Sequence, residues 1–195
     1  MSTTKALNGL TPSRKRGSGA NSTGANSYRI ESGFGTNIFS GDIVCNADGY
    51  VVGLSVSTQK AIGVFTGCQY VANGEQKFSN YWPANTSATD IVAYVVDDPQ
   101  ATFIVQADAS LSVGDINSQN FSCTLGAGST YTGRSGFGIE AGSRTTGTGG
   151  MLRPIAVLDE PGNDIDVDTE RAFPKVEVRI VRHVDAYISA DASAN

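Results

Sequence analysis

The chain has 195 residues, with 14 Lys and Arg against 19 Asp and Glu, a formal net charge of −5 and 39% hydrophobic residues. That length suits one domain, or a compact pair of β-subdomains, with a sizeable core, and its longest apolar stretches, such as Ile91 to Val96, fall far short of the roughly 20 residues a membrane-spanning helix needs. With 23 Gly and a single His, the composition favours short strands and frequent turns, and it argues against imidazole-rich metal sites.

Five cations, Lys5, Arg14, Lys15, Arg16 and Arg29, fall in the first 30 residues, where there is no Asp or Glu. The other nine stand against all 19 acids, so a leader near +5 is joined to a body near −10. Residues 1–29 read as an extended basic arm rich in Gly, Ser, Thr and Asn, with no apolar secretory segment. Only Leu7, Leu10 and Ala6 could bury apolar surface there, too little to offset roughly 1–2 kcal/mol of backbone entropy per ordered residue. The arm is therefore expected to be disordered alone and to order as a strap on a partner. Its backbone would bond to a strand edge, and Arg14, Lys15 and Arg16 would meet carboxylates. Two other readings stand beside this one: a solvated tail that aids solubility, and a phosphate contact, which the lack of interleaved aromatics weakens.

Residues 30–195 form the β-rich body, with turn signals at the spacing of an all-β sandwich or small β-barrel. Strands are predicted at 37–45, 50–57, 61–71, 77–82, 90–96, 102–107, 119–124, 137–140, 152–158 and 175–184. Asp48-Gly49 directly before an apolar run predicts a hairpin, because both residues tolerate positive φ. In Lys175 to Ile180, Val176, Val178 and Ile180 share one face and the charges share the other, which predicts a wet face on that strand. Helical periodicity is nearly absent; a short turn near Ala109 to Ile116 is the one candidate. Residues 126–150 are so dense in Gly, Ser and Thr that they read as a long mobile loop, or as an excursion ordered only by a neighbour.

The chemistry-bearing residues do not assemble into a motif. His183 has Asp185 on the same face, but no Ser sits in a Gly-x-Ser-x-Gly elbow to complete a triad, so a structural or surface role is expected. Cys45, Cys68 and Cys123 lack CxxC spacing; buried free thiols are expected, with a Cys45–Cys68 bridge allowed by spacing. The acidic run Asp159, Glu160, Asp164, Asp166, Asp168 and Glu170 could offer oxygen ligands to calcium. Counting from Asp164, however, Thr169 and Lys175 occupy the places where a helix–loop–helix calcium loop needs Gly and Glu, so a solvated or partner-facing loop is expected. Gly136 to Gly142 miss the Gly-x-Gly-x-x-Gly spacing, and no Gly-Lys-Ser/Thr occurs. Tyr81 and Trp82 could stack on a sugar, with rim packing as the plainer reading; without a carboxylate pair they support no glycosidase. The sequons at Asn21, Asn85 and Asn120 are read as chance matches. The residues thus predict a protein that is not an enzyme and uses no cofactor or metal.

Ile38-Phe39-Ser40-Gly41-Asp42-Ile43-Val44, Asp48-Gly49-Tyr50-Val51 and Ala61-Ile62-Gly63-Val64-Phe65-Thr66-Gly67 together resemble the start of small β-barrel capsid proteins of tailed bacteriophages. Leu7-Asn8-Gly9-Leu10-Thr11-Pro12 followed by Arg14-Lys15-Arg16 looks like the extended N-terminal segment of phage head cement (decoration) proteins. The resemblance implies a structural virion protein on the capsid exterior, a homotrimer over local threefold positions that binds the major capsid protein and reinforces the shell, with no direct nucleic-acid or membrane partner. The partner-binding residues would be Leu7, Leu10, Arg14, Lys15 and Arg16, with Arg134 and Arg144 from the glycine-rich stretch. The rival reading is a tail- or fibre-associated receptor- or glycan-binding module using Tyr81, Trp82 and that stretch.

Overall fold

The computed structural model describes residues 4–16, 24–147, 149–163 and 172–185. Its strands are β1 (Thr11–Lys15), β2 (Asn26–Tyr28), β3 (Ile38–Phe39), β4 (Ile43–Ala47), β5 (Tyr50–Gly53), β6 (Ala61–Ala72), β7 (Glu75–Ser79), β8 (Tyr81–Trp82), β9 (Thr89–Val96), β10 (Ala101–Gln106), β11 (Cys123–Thr124), β12 (Gly138–Ile139), β13 (Leu152–Val157) and β14 (Lys175–Ile180). Two 3-10 turns, Val113–Asp115 and Ala141–Ser143, are the helical elements among the described residues, so the protein is nearly all β.

The strands pair antiparallel into a four-stranded sheet, β1-β10-β14-β13, and a six-stranded sheet, β2-β9-β6-β4-β5 with β7 added on β6. Two strand pairs, β11-β12 and β3-β8, flank them. On β4, Ile43 and Cys45 join Phe103, Val105, Leu152, Val176 and Val178 in one apolar cluster, whereas Val44 joins Ile62, Phe65, Trp82 and Val95 in another. The strand period of two thus sends alternate residues to opposite faces, and both faces of the six-stranded sheet are buried at its centre, along β6 and the start of β4. This explains why β6 is a near-continuous apolar run rather than an alternating one. The sheets pack as in a sandwich, and no closed barrel forms among the described residues.

Local chemistry sets the turns. Asp48 and Gly49 take φ of 52° and 87°, and the Gly49 N–H donates to Asn46 Oδ1 at 3.0 Å, closing the predicted β4–β5 hairpin. Asn73-Gly74, with φ of 56° and 76°, does the same between β6 and β7, a signal equally present in the sequence. The strand predicted over 37–45 breaks at Gly41-Asp42, where the Asp42 N–H turns back to the Phe39 carbonyl at 2.9 Å. The one over 77–82 breaks at Asn80, and the one over 119–124 shortens to β11.

Three expectations are corrected. The described parts of the arm, residues 4–16 and 24–29, order on the chain's own body: β1 pairs with β10, β2 pairs with β9, and Leu10 is buried in the first cluster. The entropy argument counted the arm's own side chains but not the bonding edge that β10 offers. Each backbone hydrogen bond contributes about 1 kcal/mol net, and a buried Leu about 1.5–3 kcal/mol. The 126–150 stretch does not wait for a neighbour either, since Ser135, Phe137 and Ile139 are buried in the chain's own interior. Its glycines allow backbone to lie on backbone: a Cβ on Gly126 would stand 2.2 Å from the Gly136 carbonyl oxygen, and one on Gly136 would stand 2.3 Å from that of Ala127. Finally, the polar face of β14 is not wet throughout, because Glu177 is only 5% exposed beneath the arm's Arg14.

Candidate interaction surface

Of the seven side chains that the sequence assigns to a partner, most are engaged inside the chain. Leu10 is in the core, its N–H donating to the Gly41 carbonyl at 2.9 Å, and Leu7 lies against Gly138 where a side chain would otherwise stand. Arg14 grips Glu177 with two bonds, Nε to Oε1 at 2.7 Å and Nη2 to Oε2 at 2.6 Å, while Thr102 Oγ1 donates to Oε1 at 2.6 Å. The Arg14 hydrogen bond is the main cause that holds the Glu177 carboxyl below its ordinary range and raises Arg14 in turn. Lys15 Nζ pairs with Asp98 at 2.6 Å and lowers that carboxyl.

Arg144 belongs to a different corner, where its Nη2 meets the buried Asp115 at 2.6 Å. Asp115 also accepts the Ser112 N–H at 2.8 Å, which ties the glycine-rich stretch to the 3-10 turn. Arg134 is exposed beside the start of the arm, in a groove of about 320 Å³ lined by Ala6, Asn8, Gln106, Glu160 and Lys175. Arg16 is exposed, its backbone N–H fixed to the Gln100 carbonyl at 3.0 Å. The seven residues therefore do not converge on one site.

The groups with chemical potential sit in the interior. Cys45, Cys68 and Cys123 are buried and free; burial pushes Cys45 to about 11 and Cys68 to about 12, and it raises Cys123 as well. Such thiols are protonated at neutral pH and poor nucleophiles. His183 is buried, lowered chiefly by that burial, and its Nδ1 accepts the Asp185 N–H at 3.1 Å. Asp42 is also buried, and desolvation lifts it to about 6 against the opposing pull of Ser135 and the Phe39 N–H. Of the acidic run, Glu160 pairs with Lys175 at 3.0 Å, and Asp164, Asp166, Asp168 and Glu170 lie outside the described residues. Among the described residues no group of three His, Cys, Asp or Glu could hold a metal ion.

The aromatics divide differently from the sequence expectation. Trp82 is fully buried with its ring edge-on to Tyr70, and Tyr81 stacks on Phe39 at 5.4 Å, so this pair offers no sugar platform. Among the described residues the most exposed rings are Phe78, 72% exposed on β7, and Tyr131, 97% exposed in the glycine-rich stretch, with Tyr50 of the β4–β5 hairpin at 39%. The turn carrying Tyr131 is seated on the corner just after Phe78: the Ser40 N–H is shared by the Asn80 and Gly133 carbonyls, each at 3.0 Å. Phe78 and Tyr131 thus each lie two residues from a shared backbone seam at Ser40.

A second surface feature lies on the outer face of the four-stranded sheet. Arg153 on β13 stands directly opposite Arg179 on β14. Arg16 is close enough that it and Arg153 depress the Arg179 guanidinium, behind the larger effect of desolvation. Neither Arg153 nor Arg179 was legible as a site from sequence, because only the strand register makes them neighbours. No family model, no curated protein and no solved structure matches this chain.

Proposed function

We propose that this chain is a structural virion protein that binds the outside of a phage head and reinforces the capsid lattice as a trimeric cement protein. The observation that carries this reading is the pair of rings, Phe78 and Tyr131, which are the most exposed of the large apolar side chains among the described residues at 72% and 97%. Exposed aromatics on a rigid frame are the side chains that supply contact energy at protein interfaces with little entropy cost. The arm supports the reading in a different way from the one the sequence suggests. By adding β1 to one edge of the four-stranded sheet and β2 to one edge of the six-stranded one, it braces the body that presents the rings. A protein repeated over a shell can use weak contacts at each copy, since an effective concentration of about millimolar replaces free encounter once one foot is bound.

The test is co-sedimentation with purified undecorated heads. The wild-type protein is expected to pellet with heads, and the double variant Phe78→Ser, Tyr131→Ser to lose most of its occupancy with an unchanged far-ultraviolet spectrum. Failure of the wild-type protein to associate with heads refutes the proposal, and adsorption to host cells or glycans instead favours the tail-associated module. Sedimentation equilibrium tests the trimer separately.

A further inference from the structure

We propose that Arg153 and Arg179, with Arg16 at their rim, form a binding site for the carboxylates of an acidic segment of a partner protein. The site is placed by the sheet itself. Arg153 and Arg179 are register partners on adjacent strands, and Thr102, the β10 partner of Arg179, brings no charge to offset them. Like charges directly opposite each other on a sheet destabilise it, so the fold holds this pair at a cost.

Among the described residues of β14, Glu177 is the carboxylate on this face, and Arg14 and Thr102 already occupy its oxygens. Lys175, on the same side of β14, is directed to Glu160. Arg153 is also preorganised: its Nε donates to Asn120 Oδ1 at 2.7 Å, and the 1%-exposed Asn120 is fixed in turn by donating to the Gly147 carbonyl at 2.6 Å. A guanidinium held by its Nε presents its two outer nitrogens as a fork, the geometry that takes a carboxylate bidentately. Arg179 is lowered first by desolvation and then by Arg153 and Arg16, and that repulsion is the electrostatic counterpart of the geometry.

A protein carboxylate fits better than nucleic acid. A phosphate backbone carries continuous charge well beyond three arginines and would run onto a body that is near −10 outside its leader. A short acidic segment meets the patch alone. The inference stands apart from the capsid reading, since it names a ligand chemistry that an isolated peptide can test.

The experiment titrates the full chain with hexaglutamate, following the arginine Nε–H signals by nitrogen-edited NMR. Hexaglutamine, inorganic phosphate and a short single-stranded DNA serve as the other arms. Hexaglutamate is expected to shift the Arg153 and Arg179 signals in a salt-sensitive manner, and Arg179→Gln to weaken binding by about tenfold, the loss of one charge-assisted bond. Because it relieves like-charge repulsion, Arg179→Gln is expected to melt at or above the wild-type temperature. No shift at millimolar hexaglutamate, tighter binding of DNA or phosphate, or a large fall in melting temperature for Arg179→Gln each overturns the proposal. Loss of head binding with hexaglutamate binding intact would instead refute the capsid reading alone.

Discussion

The basic leader and the glycine-rich stretch look alike in composition and become ordered for opposite reasons. Residues 4–16 gain their place by what they add: a buried Leu10, a strand on the free edge of β10, and cations that meet Glu177 and Asp98. Residues 126–150 gain theirs by what they lack, since the missing side chains at Gly126 and Gly136 let two backbone segments touch. Polar, small-residue composition therefore marks a segment as dependent on its surroundings, and those surroundings can be the rest of the same chain.

The sharpest way to break the comparison is to remove the leader's apolar anchor. Leu10→Ala is expected to cost about 3 kcal/mol, read as a lowered denaturant midpoint; an unchanged midpoint would mean that the arm rests on its charges instead. Gly126→Ala attacks the other region by addition, driving a methyl group into the Gly136 carbonyl, and about 2 kcal/mol of overpacking is expected. If the two changes were made together, strict additivity would show that the regions are independent, whereas coupling is expected because they meet. The Gly9 N–H donates to the Phe137 carbonyl at 3.1 Å, and the Ser135 N–H donates to that of Ser40 at 3.0 Å, beside Gly41.

Asp42 sits at that seam and gives it a pH signature. Its folded carboxyl is raised to about 6 from 3.8, so the folded state binds more protons than the unfolded chain between those values, and stability falls as pH rises through the window. Asp42→Asn keeps an acceptor for the Phe39 N–H, and it is expected to flatten this dependence and to stabilise the protein at pH 8 by on the order of 2 kcal/mol. Glu177 and Asp98 act with the opposite sign. Their folded carboxyls are lowered, by the Arg14 and Lys15 hydrogen bonds first, so their contribution is present above the usual carboxylate range of about 4 and is lost as pH falls through their folded values. Thermal melts across pH should therefore show a maximum in mild acid. The smallest effect belongs to Lys15→Ala, a partly exposed pair with Asp98 expected to contribute less than about 1 kcal/mol.

These pairings also change what a charge-reversal experiment means. Reversing Arg14 would set a second acid against the buried Glu177, so loss of partner binding in a triple variant of Arg14, Lys15 and Arg16 would report on folding first. The exposed Phe78 and Tyr131 avoid that ambiguity, since neither supports the core.

The sequence by itself determined the strand content, the Asp48-Gly49 hairpin and the inward face of β14, because each follows from local φ preferences or from a period of two. It also excluded a CxxC pair, but it left a Cys45–Cys68 bridge open, and the structure shows all three thiols buried and free. Tertiary structure alone decided that the leader closes on β10, that Glu177 is covered, that Trp82 is inside while Tyr131 is outside, and that Arg153 faces Arg179. Each of these depends on contacts between residues far apart in the chain, and strand register, which composition does not encode, sets which ones meet.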